Sequence, residues 1–163
     1  MQHQNAFEAT RAVDYKRIKV NSPEFEQNGI IPELYTCDGE NRNPPLELQD
    51  IPEETKCLAI IVEDPDAPKG IFIHWVAWNI PVMHHIREGH SAGAQGMNDF
   101  GKHRYDGPCP PSGTHRYYFK VYALDSTLDI PVSSDKSQLE SAMSEHIIGF
   151  GELMGKYGRS RSI

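Results

Sequence analysis

The sequence predicts a mainly β, single-domain protein with a helix packed on its sheet, and three observations carry that expectation. Cys57-Leu58-Ala59-Ile60-Ile61-Val62 is a continuous apolar run, the pattern of a strand covered on both faces. Residues 71–80 and 116–124 are β-branched and aromatic almost throughout. The 13 glycines and 12 prolines among 163 residues argue against a helix bundle and for short elements separated by turns. A chain of this length buries roughly 70% of its unfolded surface, enough for a core without staples.

Taken in order, residues 1–16 read as a polar N-terminal arm and 17–163 as the folded domain. Arg17-Ile18-Lys19-Val20 alternates like a first edge strand. Asp38-Gly39 and Asn43-Pro44-Pro45 are turn chemistry, because Gly permits positive φ and Pro holds its predecessor extended. The strand at 57–62 follows, then the strand at 71–80, which ends at Pro81. In the strand at 116–124, Tyr117, Phe119, Val121 and Ala123 share one face. Asp135 caps the convincing helix with Gln138 three residues on, and Leu139, Met143 and Ile147 recur at i, i+4, i+8. Gly149 and Gly151 are expected to break that helix before a short closing strand at 153–157.

Composition excludes more than it assigns. A formal net charge of −7 is a poor basis for nucleic-acid binding, which needs clustered Lys and Arg against phosphates. No apolar run approaches the length of a transmembrane helix, and the first residues lack the basic and apolar regions of a secretory signal. The expected location is therefore cytoplasmic. Cys37, Cys57 and Cys109 are odd in number and widely spaced, so they read as reduced thiols, not as a disulfide framework. His84, His85 and His90 cluster loosely without helical spacing or nearby cysteines, so no metal or cofactor is expected.

Two stretches concentrate polar chemistry beside strands. Glu63-Asp64-Pro65-Asp66-Ala67-Pro68 ends the most apolar strand, and His74 lies in the next. Residues 105–117 contain Gly107, Cys109, His115 and Tyr117 and run straight into the third strand. Pro108, Pro110 and Pro111 lack N–H groups, so between Gly107 and Ser112 only Gly107 and Cys109 offer main-chain donors. Pointing inward, with Gly107 free in φ, those amides make a small anion-binding nest. His74, His115 and the Tyr117 hydroxyl add side-chain donors, which suits phosphate, phosphonate or carboxylate. Asp64 and Asp66 would repel an anion, unless one orients an imidazole or the ligand also carries an amine, as phosphoethanolamine does.

These residues bring a family into view. The sequence resembles the phosphatidylethanolamine-binding protein family, also called Raf-kinase-inhibitor-like proteins, and looks most like its bacterial and archaeal branch. The likeness spans about 22–159 and rests on Tyr35-Thr36-Cys37-Asp38-Gly39, Pro44-Pro45-Leu46, Asp64-Pro65-Asp66-Ala67-Pro68, His74-Trp75, Asn79-Ile80-Pro81, Asn98-Asp99-Phe100-Gly101, Gly107-Pro108-Cys109-Pro110-Pro111 and Gly113-Thr114-His115-Arg116-Tyr117. It implies a β-sandwich-type domain with a large antiparallel sheet, a smaller sheet and peripheral helices. It also implies a small anion-binding cavity formed by Asp64, Asp66, Pro68, His74, Gly107, Cys109, His115 and Tyr117. Animal members carry a further C-terminal helix, whereas this chain stops at Ile163, and only five residues separate Pro68 from His74. Raf-kinase inhibition and binding of long lipid tails are therefore not carried over.

Plainer readings stand beside these. Asp64-Pro65-Asp66 is also the composition of an Asx turn, His74 alone suits a hydrogen-bonded core position, and Arg116 suits a structural ion pair. Trp75 and Trp78 point to opposite faces of one strand, so at least one belongs to the core. Cys109, His115 and Asp64 have the residue types of a thiol triad, although Cys109 sits between two prolines and not at a helix N-terminus. The reading reached is a non-enzymatic binding protein for a small phosphorylated or carboxylate anion, modulating a partner. The alternative is a kinase or protease inhibitor acting through its surface over a vestigial cavity. Homodimerisation is compatible with either.

Overall fold

A computed structural model describes residues 15–159; the expected arm at 1–16 falls almost wholly outside them. Nine strands, one α-helix and a 3-10 turn (Glu33–Tyr35) make up the described chain. The strands are β1 (Lys16–Arg17), β2 (Lys19–Asn21), β3 (Leu46–Gln49), β4 (Cys57–Asp64), β5 (Phe72–Ile80), β6 (His85–Ile86), β7 (Ala94–Gln95), β8 (Thr114–Leu124) and β9 (Ile147–Gly158). The helix, α1, spans Lys136–Met143. A six-stranded sheet runs in the order β1-β9-β8-β4-β5-β7, and a three-stranded sheet in the order β2-β3-β6. All pairs are antiparallel except β1 with β9, so the large sheet is antiparallel with one short parallel edge.

Strand β4 is buried along its whole length because it is central in the large sheet and covered on both faces. Leu58, Ile60 and Val62 project into a core shared with the small sheet. Cys57, Ala59 and Ile61 project into a second core, which Leu139 and Met143 of α1 help to cover. The alternation expected of Tyr117, Phe119, Val121 and Ala123 holds, and all four join the first core. Trp75 and Trp78 divide between the two cores and both are buried.

Three sequence expectations need correction. Residues 17–20 do not form one edge strand: the chain leaves the large sheet after Arg17 and enters the small one at Lys19, with the Ile18 amide bonded to the Phe150 carbonyl between them. The helix begins at the expected capping box of Asp135 and Gln138 but ends at Met143, so Ile147 opens β9. Gly149 and Gly151 do not break a helix; they lie inside β9. At Gly151 a Cβ would stand 2.0 Å from the Ile18 carbonyl oxygen, so glycine is there to let the crossing chain come close.

Glu63 ties the helix to the sheet. Its carboxylate accepts from Lys120 Nζ at 2.9 Å and from Lys136 Nζ at 2.8 Å. Burial pushes the Glu63 pKa up, but the two ammonium groups outweigh it and hold the group below the usual carboxylate range.

Replacing Gly151 by Ala sets a side chain against backbone that cannot rotate away. The expected cost is about 2–3 kcal/mol, read as a loss of roughly 4–12 °C in Tm for a chain of this size. An unchanged melting temperature would show that Ile18 yields and that the close crossing does not constrain the sheet.

Candidate functional site

Antiparallel pairing brings the end of β4 beside the beginnings of β5 and β8. Asp64 pairs with Phe72, and Glu63 with both Ile73 and Tyr118. Side chains from those three strand ends, on the face turned to the first core, surround a cavity of about 160 Å³. Loops complete it with Ala67, Pro68, Phe100, Cys109, Pro110 and Pro111.

His74 reaches this face through a β-bulge. Val62 pairs with Trp75 and Glu63 with Ile73, so His74 is an extra residue on β5. Strict alternation would send it with Val76 into the second core; the bulge turns it towards Tyr117, whose ring lies 5.4 Å away edge-on. Phe72 and Phe100 flank the imidazole at 5.2 and 5.5 Å. Its Nδ1 lies 2.6 Å from the Asp106 carbonyl, which can only accept, so Nδ1 carries the proton and Nε2 is the nitrogen left for the cavity. Burial holds the His74 pKa below its ordinary 6.5, against the raising effect of that carbonyl and of Asp64.

His115 has the same arrangement with a charged partner. Its Nδ1 donates to Asp64 Oδ2 at 2.6 Å, with both side chains almost fully buried. The other Asp64 oxygen accepts the Asp66 amide at 2.7 Å. The Asx turn and the oriented imidazole are thus the same carboxylate doing both tasks. Tyr117 stacks near His115 at 6.4 Å. Burial first, and the Asp64 charge second, push its phenol well above the usual range. The two groups feel each other without completing a well-formed hydrogen bond, since the buried Tyr117 hydroxyl lies outside bonding geometry.

Of the eight expected site residues, Asp64, Pro68, His74, Cys109, His115 and Tyr117 line the cavity. Asp66 does not. Its carboxylate faces Arg116, which donates from its amide, Nε and Nη2 at 2.9, 2.9 and 2.7 Å and holds the Asp66 pKa at about 2. Gly107 also lies outside, and its amide donates to Asn41 Oδ1 at 2.8 Å. Its φ is not in the left-handed region; glycine is needed because a Cβ would meet the Tyr35 carbonyl oxygen at 2.1 Å. The two-amide nest is therefore not formed, and only the Cys109 amide finds no acceptor among the described residues.

The expectation of reduced thiols fails for two of the three cysteines. Cys37 and Cys109 form a disulfide, and Cys57 alone is free and buried. Wide separation in sequence concealed a close approach of two loops. With its sulfur bonded to Cys37, Cys109 is not the thiolate of a triad with His115 and Asp64.

A family model described as phosphatidylethanolamine-binding protein matches residues 21–158. The chain belongs to that family. It is 48% identical to a UPF0098 protein of Pyrococcus horikoshii over 153 residues, covering 87% of this chain and 77% of the relative. Among solved structures it is similar to a phosphatidylethanolamine-binding protein homologue of Chlamydia trachomatis, with TM-score 0.85, 41% identity and coverage of 89% of this chain and 99% of that one. It is also similar to E. coli YbcL, described as a new member of the mammalian family, with TM-score 0.81, 29% identity and coverage of 88% and 99%.

Sequence reasoning missed the support beneath the cavity. The carboxylate of Asp106 is buried and accepts from Asn41 and Asn98, each at 3.1 Å, and from the Arg104 guanidinium at 3.2 Å. Asn98 also accepts the amides of Phe100 and Lys102, which sets Phe100 over the cavity. The Asn98-Asp99-Phe100-Gly101 motif was visible, but a motif's place in a loop does not reveal which strand end it covers.

Below pH 6.5 the unfolded chain protonates His74 while the folded chain resists it, so more protons bind to the unfolded state and stability falls as pH drops. The slope from this one group is at most about 1.4 kcal/mol per pH unit. Denaturant unfolding of His74→Gln should show a flatter fall than the parent between pH 6.5 and 5. Parallel profiles would mean that the folded ring accepts a proton freely.

Proposed function

We propose that the chain is a binding protein for a small phosphoryl group, either inorganic or at the end of a larger molecule. The observation that carries this reading is the pair of imidazoles, each anchored through Nδ1, at the wall of one small cavity. A space of about 160 Å³ equals roughly five waters' share of liquid volume. That accommodates a phosphoryl or phosphoethanolamine head and leaves any acyl chain outside.

Charge can be balanced within the wall. A protonated His115 beside the Asp64 carboxylate makes a neutral pair, so a monoanion enters without facing a bare negative charge. His74, held neutral by burial, offers Nε2 as an acceptor to a phosphoryl O–H or an ammonium N–H. The Cys109 amide supplies a donor. Phe72 and Phe100 give the entrance an apolar lining that strengthens these contacts by excluding water.

Calorimetric titration with inorganic phosphate and with phosphoethanolamine tests the reading. Binding by the parent, weakened at least about tenfold in His74→Asn/His115→Asn, is expected for two charge-assisted contacts. Undiminished binding by a folded double variant would remove the cavity from the function. Sulfate separates the protein's titration from the ligand's, because it stays a dianion from pH 5.5 to 8.5. It has no proton to offer His74, so its affinity should rise as pH falls and the ring ionises; a flat profile would assign the binding to backbone donors.

A further inference from the structure

The Cys37–Cys109 bond joins two loops that are 72 residues apart in sequence, and one of its ends is cavity wall. Four hydrogen bonds hold the loops together up to Pro108, one of them from Asn41 Nδ2 to the Asp106 carboxylate at 3.1 Å. Tyr105 Oη donates to the Tyr35 carbonyl at 2.7 Å, the Gly107 amide to Asn41 Oδ1 at 2.8 Å, and the Cys37 amide to the Pro108 carbonyl at 3.1 Å. Beyond Pro108 the support changes. Pro110 and Pro111 have no N–H, and residues 109–112 form no hydrogen bond to the rest of the described residues. The stretch that supplies Cys109, Pro110 and Pro111 to the cavity is tethered by the disulfide.

The two sulfurs are not equivalent. Both cysteines are half-buried, within reach of a small thiol. Arg159 Nη2 lies 3.4 Å from Cys37 Sγ, while its guanidinium also holds Asp38 at 2.8 Å. A cation beside one sulfur stabilises that sulfur as a thiolate, and the better leaving thiolate directs attack to its partner. Asp38 is occupied by Arg159 and by the Tyr157 hydroxyl at 2.6 Å, which limits its opposing effect.

We propose that this disulfide is a thiol-exchange site that regulates the cavity, with Cys109 as the sulfur attacked and Cys37 as the sulfur released. A small-molecule thiolate forms a bond to Cys109 Sγ, the Sγ–Sγ bond breaks, and its electron pair leaves on Cys37 beside Arg159. A second small thiol then attacks the mixed disulfide, releasing the oxidised small-molecule disulfide and leaving Cys109 as a thiol once protonated. Two electrons pass from the two small thiols to the protein. Either product frees residues 109–112 from Cys37, and the mixed disulfide also puts an adduct on the cavity wall. Both weaken the phosphoryl site. The inference rests on the proposed function for its ligand, but the exchange itself does not.

The oxidised chain is treated briefly with reduced glutathione, free thiols are blocked, and the adducts are mapped by mass spectrometry. Glutathione on Cys109 in excess over Cys37 is expected, with the preference reduced in Arg159→Met; equal or reversed labelling overturns the assignment. Inorganic phosphate is then titrated into the oxidised chain, the dithiothreitol-reduced chain and a Cys37→Ser/Cys109→Ser variant whose fold is checked by circular dichroism. The oxidised form should bind at least about fivefold tighter than the other two, and saturating phosphate should raise by the same factor the ratio of squared reduced to oxidised glutathione at half-reduction. Equal affinities overturn the coupling. If the oxidised chain binds no phosphate, the proposed function fails; hydrogen exchange at Cys109, Ser112 and Gly113 then decides the tether, faster exchange after reduction supporting it and unchanged exchange overturning it.

Discussion

The antiparallel register of β5, β4 and β8 positions both cores and the cavity. It places the end of one strand against the starts of its two neighbours, so residues distant in sequence share one rim of the sheet. Strand β4 has no freedom to slip, because moving its register by one residue would exchange Leu58, Ile60 and Val62 with Cys57, Ala59 and Ile61 between two differently shaped cores. A position so specified can hold a buried carboxylate. The same apolar packing that fills the centre of the molecule therefore sets the geometry of its polar end.

Two neighbouring acids at the end of β4 illustrate how burial is compensated. Glu63 and Asp64 are both almost inaccessible, and an unpaired carboxylate there would cost several kcal/mol. Alternation sends them to opposite faces. Glu63 meets two lysines, one from β8 and one from α1, and becomes part of the scaffold. Asp64 meets an imidazole and a backbone amide. The difference is chemical: lysine stays charged near neutral pH and only donates, whereas an imidazole offers a second ring nitrogen that can donate or accept. One acid fixes the fold, and the other orients an imidazole at the cavity.

Much of this was legible in residue patterns. The apolar run of β4, the alternation in β8 and the capping box at Asp135 each identify their elements by local chemistry, and the family motifs named six residues that line the cavity. What could not be read depended on approach between distant segments. Gly107 looked like a point of backbone freedom and Gly151 like a helix breaker, yet each is required where the carbonyl of a distant segment comes close. Cysteine spacing suggested reduced thiols because loop proximity has no linear signature. Asp66 looked identical to Asp64, but the Asx turn between them points one carboxylate inward and leaves the other to Arg116. The bulge that turns His74 is likewise a property of pairing, invisible in β5 alone.

The local charge balance resolves the apparent conflict between an acidic chain and the anion site proposed for it. The net charge of −7 is distributed over many exposed groups, where solvent and salt screen it beyond about 10 Å. Within the cavity the charges that matter number few: one carboxylate, one imidazole paired to it and one imidazole kept neutral by burial. Because both rings are anchored through Nδ1, neither needs to reorient when its Nε2 changes from acceptor to donor. For the proposed phosphoryl ligand, both Nε2 atoms are then held in place without any side chain having to move. A site of the proposed kind would select by the arrangement of its donors and acceptors, and the sign of the whole protein's charge would have little bearing on it.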